Sequence, residues 1–142
     1  MSVAIVPMAR EFGWTASVAG LVQSAFFWGY ALSQIPGGYL TSRIGGRTVL
    51  PGGVGLWSGA TAMLPLLASS VPGLCFSRAA VGLGEAMAPS AATDMVSRVI
   101  DNSQRARAIS FIFAGLHVGS LLGLLIAPVL IEQFGWYVVS VL

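Results

Sequence analysis

The chain has 142 residues, of which 56% are hydrophobic and only 8% carry a formal charge, for a net charge of +2. An average soluble domain carries about 25% charged residues, so this composition, with a mean hydropathy of +0.83, excludes a water-soluble globule. Seven arginines with no lysine, one cysteine and one histidine exclude a phosphate-tracking nucleic-acid patch, an internal disulfide and a multi-histidine metal site. What remains is an all-α membrane protein.

In chain order, Met1 to Ala9 reads as the last two turns of an apolar helix. Arg10 and Glu11 follow this run rather than precede it, so no signal peptide is readable. A bilayer core needs about twenty apolar helical residues. The first full span runs from Thr15 to Leu40 without a charge, and the second from Thr48 to Ser69, ending at the turn signal Ser69-Ser70-Val71-Pro72-Gly73. The third, Leu74 to Ser97, contains Arg78, Glu85 and Asp94; the fourth, Ala108 to Ile131, has His117 as its sole titratable group. A further apolar run begins at Trp136 and ends with the chain at Leu142. The pattern predicts four complete transmembrane helices plus pieces of two more, a fragment of a longer membrane protein.

Charge in the connections sets the orientation. One link holds Arg43 and Arg47, another Arg98, Arg105 and Arg107 against Asp101, and the intervening links are not basic. Both Arg-rich links are therefore expected on the cytoplasmic or equivalent side.

Charges within a span are costly, about 2.5–3.5 kcal/mol each near the bilayer centre even on a lenient scale. Arg78 and Glu85 are two helical turns apart, so they project from one face with a rise of about 10 Å between them. The pair points to an anion-binding arginine with a protonatable carboxylate one step deeper; the alternative is a structural ion pair locking helices. Gly82 and Gly84 between them leave room for a ligand or a neighbouring helix. Asp94 is expected to pair locally with Arg98 at helical spacing. Gly115, Gly119 and Gly123, followed by Ala127, form a small-residue stripe suited to helix packing. His117, off that stripe, suits either a proton relay or a hydrogen-bonded interior histidine. Gln23 and Tyr30 share a face of the first span and fit either interhelical glue or a cavity wall. There is no Ser-His pairing, acid dyad or metal set, so neither an enzyme nor a bound cofactor is expected.

Several stretches resemble the major facilitator superfamily and, within it, the anion:cation symporter family of vesicular glutamate transporters, sialin and plant plastid anion transporters. Phe26-Phe27-Trp28-Gly29-Tyr30 and Gln34-Ile35-Pro36-Gly37-Gly38-Tyr39 resemble the signature of that family's second helix. Gly38 through Leu50 resembles the loop motif after it, Arg78 to Glu85 the fourth-helix Arg and Glu, and Gln104-Arg105-Ala106-Arg107 the family's Glu-Arg-Ser-Arg. The resemblance implies one partial transporter domain over residues 1–142, from the end of helix one to the start of helix six. The whole would be a twelve-helix alternating-access symporter whose missing C-terminal half completes the cavity. It implies that Arg78, Tyr30 and Gln23 bind a small anionic substrate, inorganic phosphate first and organic anions second. Glu85 would couple transport to Na+ or H+, and Arg43, Arg47, Arg105 and Arg107 would lie in cytoplasmic gate loops. Gln23, where the vesicular glutamate branch has His, points to the plastid branch and to a plastid envelope or thylakoid membrane. The chain departs from the pattern at Ser42, where the superfamily usually has an acid, which questions an ionic latch at the inner gate. It departs again at Ala86 and Pro89 beside Glu85, which alters the expected helix bend, and at Gln104, which removes an acidic partner for Arg105 and Arg107. The contrasting expectations are a non-transporting truncated membrane protein acting through its glycine stripe, or an incomplete gene model.

Overall fold

The computed structural model describes residues 5–67 and 70–134; the readings made for residues 1–4, for Ser69 and for Trp136 to Leu142 lie outside the described residues. Its elements are α1 (Ile5–Glu11), α2 (Ala16–Ile44), α3 (Gly46–Ala62), α4 (Leu64–Leu67), α5 (Val71–Val99) and α6 (Asn102–Phe134). Among the described residues, α6 is the one helix whose length and composition alone suffice to cross a membrane.

Each long helix has a local reason to start and stop. The Thr15 hydroxyl caps α2 by accepting from the Val18 N–H at 3.4 Å, and the Ser70 hydroxyl caps α5 by accepting from the Gly73 N–H at 3.3 Å. Pro72 sits in the first turn of α5, where its missing N–H costs nothing. The Ser-Val-Pro-Gly signal expected to end one span therefore opens the next, and α5 begins at Val71 rather than Leu74. Gly45, at φ +84°, reverses the chain between α2 and α3 in a conformation that side chains disfavour. The second span does not run unbroken to Ser69. It stops at Ala62 and resumes as the single turn α4, because Pro65 has no N–H to offer the carbonyl of Thr61.

The helices outrun the apolar stretches because the end charges continue the helix instead of leaving it. Arg43 and Arg98 occupy the last turns of α2 and α5. Arg47 lies in the first turn of α3, and Arg105 and Arg107 lie near the start of α6. The arginines expected in loops thus stand on helix ends, and the links shrink to Gly45 and to Ile100–Asp101.

α5 is the central element, gripped by α2 on one side and α3 on the other. The grip depends on missing side chains. A methyl added at Gly29 would run into the carbonyl of Ala79, one at Gly82 into the carbonyl of Phe26, and one at Gly46 into the carbonyl of Ala91. Gly53 and Gly84 oppose each other across α3 and α5; a methyl at Gly84 would come within 2.7 Å of the Gly53 oxygen. The space that Gly82 and Gly84 leave is filled by neighbouring helices, not by a ligand. Ser77 adds a hydrogen bond from its hydroxyl to the Ala60 carbonyl at 2.7 Å.

At the Arg-rich end, Asp94 pairs with Arg98 as the spacing predicts, with Nε at 2.9 Å from Oδ2. The same oxygen accepts from the Gly46 N–H at 2.8 Å, which joins the start of α3 to α5. A carboxylate there complements the unsatisfied donors and positive end of α3. Asp94→Ala is therefore expected to lower the melting temperature of the purified full-length protein more than Asp94→Asn, which keeps an acceptor; equal losses would show that the cap is not what Asp94 contributes.

The other end is closed by a cluster of Ile5, Met8, Val22, Leu64 and Leu74, against which Trp14, Val71, Cys75 and Ile131 pack. α6 meets the bundle there through Ile131, and at the Arg-rich end through Arg105, whose guanidinium donates to the carbonyls of Ile100 and Ser97. Between these anchors residues 110–126 are exposed. No described atom lies within 4 Å of a methyl built at Gly115, Gly119 or Gly123, so the stripe expected to pack meets no described residue.

Candidate functional site

The α2–α5 interface has two flanks of opposite character. Its centre is set where Gly29 faces Ala79 and where Gly82 faces Phe26 and Tyr30. On the Gly82 side, helical phase places Gln23 and Tyr30 of α2 beside Arg78 and Glu85 of α5. Tyr30 lies across from Gly82, with its backbone nitrogen 2.9 Å from a methyl built there. That height falls between Arg78 and Glu85. The Tyr30 ring is stacked on Phe26, with centroids 6.0 Å apart, which fixes its direction.

On the Ala79 side lies a groove of about 570 Å³ lined by Leu21, Ser24, Ala25 and Trp28 with Pro72, Cys75, Phe76 and Ala79. Its one hydroxyl, on Ser24, is spent on the Gly20 carbonyl at 2.8 Å. Trp28 and Phe76 are 69% and 72% exposed at its edge, so this flank presents only apolar surface. Polar groups and apolar bulk are sorted onto opposite sides of one helix pair.

Within the polar flank the groups differ in exposure. Arg78 is buried at 5% of its free surface, Gln23 and Tyr30 are half-buried, and Glu85 is exposed. The rise of about 10 Å between Arg78 and Glu85 puts them in separate layers. A guanidinium in the layer farther from the Arg-rich end can offer parallel donors to a carboxylate or phosphate, while Glu85, in the layer nearer that end, is exposed. Helical phase thus puts the four residues on one flank of the α2–α5 pair. The helix-end arginines form a separate group at the other end of the bundle, joined to the site through α2, which carries Arg43, and α5, which carries Arg98, and the Gly115 stripe lies on α6, apart from both. Sequence reasoning missed Gly29, which permits the close approach, and the apolar groove, which defines the site by contrast. Their spacing on α2, with Leu21, Ala25 and Trp28 on one face and Gly29 beside it, is the signal that was available.

A family model for the Major Facilitator Superfamily matches residues 1–142. The chain is 60% identical over 136 residues to probable anion transporter 6, chloroplastic, of Arabidopsis thaliana, covering 96% of this chain and 26% of that protein. It is 43% identical over 137 residues to sodium-dependent phosphate transport protein 1, chloroplastic, of Arabidopsis thaliana, covering 96% of this chain and 27% of that protein. The ascorbate transporter, chloroplastic, of the same plant is 44% identical over 137 residues, covering 96% and 25%. The chain thus spans about a quarter of the length of the curated relatives it matches. With its all-helical architecture and a match along its whole length, the chain belongs to the major facilitator superfamily.

Proposed function

We propose that this chain is one partial domain of a multi-pass plastid-membrane transporter of small anions, with inorganic phosphate the first substrate to test and organic anions such as ascorbate the second. The observation that carries this reading is the gathering of Gln23, Tyr30, Arg78 and Glu85 on one flank of α2–α5, opposite a wholly apolar flank. The relatives named as phosphate and ascorbate transporters support the substrate class. Transport is the activity, and no enzymatic step or bound cofactor is invoked.

In this reading the polar flank lines a cavity completed by a C-terminal half, as expected where substrate sites lie between structural repeats at the bilayer midplane. Arg78 receives the anion, Tyr30 and Gln23 bound it, and Glu85 binds the coupling ion, H+ or Na+, so that the loaded cavity closes without an uncompensated charge. The arginines at the helix ends lie at the cytoplasmic-side gate, and the Gly115 stripe packs against a helix of the complete protein.

The test is uptake of radiolabelled phosphate and ascorbate by proteoliposomes of the full-length protein under imposed proton and sodium gradients. Saturable uptake driven by one gradient is expected; absence of uptake for every small anion offered would overturn the reading. Glu85→Gln is expected to remove the dependence on the driving gradient while anion binding remains. An unchanged gradient dependence would exclude Glu85 as the coupling group.

A further inference from the structure

Charge is divided unequally between the two ends of the molecule. Arg43, Arg47, Arg98, Arg105 and Arg107 stand at one end against Asp94 and Asp101, an excess of three positive charges; Arg10 stands at the other against Glu11 and Glu132, an excess of one negative. α2 and α5 have 29 residues each, a length of about 44 Å, which matches the roughly 40–45 Å of a bilayer with its headgroup layers. The last turns of both helices, which carry Arg43 and Arg98, therefore lie among headgroups. The short links at Gly45 and Ile100–Asp101 hold the starts of α3 and α6 at the same level.

Two of these arginines have tasks inside the protein: Arg98 is bound to Asp94, and Arg105 donates to the carbonyls of Ile100 and Ser97. Arg43, Arg47 and Arg107 are exposed, and no described carboxylate pairs with them. Arg43 is nonetheless braced. Its guanidinium carbon lies 5.3 Å from the centre of the Tyr39 ring, an attraction that holds the group in place and leaves its N–H donors for another ligand. Arg47 follows four residues later across the Gly45 reversal, so the two backbones are at most about 14 Å apart. Tyr39, Leu40 and Ile44 are exposed in the same stretch, as is Val99 beside Arg98. Unpaired cations among exposed apolar side chains suit the boundary of headgroups and acyl chains, where the apolar groups stay in hydrocarbon and the guanidiniums meet phosphate. A free anion in water gains nothing from that apolar surface.

We propose that this end of the bundle binds the headgroup phosphates of anionic lipid, with Arg43 and Arg47 as the gripping pair at the α2–α3 corner and Arg107 as a further contact from α6. The guanidiniums donate charge-assisted hydrogen bonds to phosphate oxygens, and the corner is held at the leaflet surface. A zwitterionic lipid carries its phosphate with a compensating ammonium, so the site selects by net charge as well as by phosphate. Each arginine at an anionic surface strengthens the association by about fivefold. The inference rests on α2 and α5 crossing the membrane and is independent of which anion is carried and which ion drives it. It gives the arginines at the gate a ligand outside the protein.

The experiment is titration of the purified full-length protein, in detergent micelles, with fluorescent phosphatidylglycerol and with phosphatidylcholine of the same acyl chains. Wild type is expected to bind phosphatidylglycerol more tightly, by a margin that shrinks at high salt. Arg43→Gln and Arg47→Gln are each expected to weaken phosphatidylglycerol binding by about fivefold, and the double variant to weaken it more than either. Arg43→Lys with Arg47→Lys keeps both charges and is expected to retain most of the binding, whereas Arg10→Gln, at the opposite end, is expected to match wild type. Every variant is first checked for a monodisperse size-exclusion peak, and the single variants decide if the double variant does not fold. Phosphatidylglycerol binding at wild-type strength in the Gln variants overturns the proposal. An equal loss in Arg10→Gln also overturns it, because the lipid then responds to net charge and not to this end. Inorganic phosphate is the second probe: phosphate binding that weakens in the Gln variants, while phosphatidylglycerol binds no better than phosphatidylcholine, identifies a free-anion site and overturns the lipid. Uptake does not enter any of these readouts, so failure here and failure of the transport reading are told apart.

Discussion

Arg78→Ala is expected to abolish saturable anion uptake by the full-length transporter, and Arg78→Lys to recover only a small part of it. Arg78 is the most deeply buried charge described, at 5% exposure. On the proposed reading, an anion bound at this guanidinium gains Coulombic attraction and charge-assisted hydrogen bonds. Two parallel charge-assisted bonds contribute about 1.5–3 kcal/mol each, so removing both should weaken binding by at least about a hundredfold. Lysine keeps the charge but not the planar pair of donors, which is why it should fall short of wild type. The measurement is the substrate dependence of uptake, normalised to protein in the membrane. Uptake at wild-type affinity in Arg78→Ala would remove this residue from the substrate site.

Gly82→Leu is expected to yield no folded transporter. The obstacle at Gly82 is the backbone of α2, at Phe26 and Tyr30, which cannot swing aside as a side chain would. Overpacking commonly costs about 1–3 kcal/mol where neighbours can adjust; a collision with a helical backbone should exceed that range and drive α2 from α5. Gly52→Ala is the matched control, since a methyl there meets no atom within 4 Å. The readout is a monodisperse peak on detergent size exclusion. A wild-type profile for Gly82→Leu would mean that α2 and α5 do not cross at this point.

Much of this organisation was legible in the sequence because two of its rules are simple. A bilayer-length apolar run names a helix, and a spacing of seven names a shared face; together they located α2, α5, α6 and the side of α5 that carries Arg78 and Glu85. The boundaries were less legible, because hydropathy stops at the first charge whereas the helix continues through Arg43, Arg98 and Arg105. Asp94 shows a different limit. Its bond to Arg98 is local and readable, but its bond to Gly46 joins residues 48 apart in sequence and exists only because α3 and α5 pack. Glycine was the hardest case: of the 18 in the chain, regular spacing singled out the stripe on α6, whereas only Gly82 and Gly84, by lying between Arg78 and Glu85, were read as room for a neighbouring helix or a ligand. The glycines that bring described helices together are Gly29, Gly46, Gly53, Gly82 and Gly84, which follow no single repeat because each serves a different crossing.

The central claim is that one flank of α2–α5 faces a water-filled anion path and the other does not. Thiol accessibility tests it most directly, after Cys75, the single cysteine of these 142 residues, and every cysteine of the remaining full-length protein are replaced by Ser. Gln23→Cys, Tyr30→Cys, Trp28→Cys and Phe76→Cys are introduced one at a time into the full-length transporter and exposed to a charged, membrane-impermeant thiol reagent. The account predicts labelling at positions 23 and 30, slowed by saturating phosphate, and none at 28 and 76. Labelling at 28 and 76 with 23 and 30 silent would place the path on the apolar flank and contradict it.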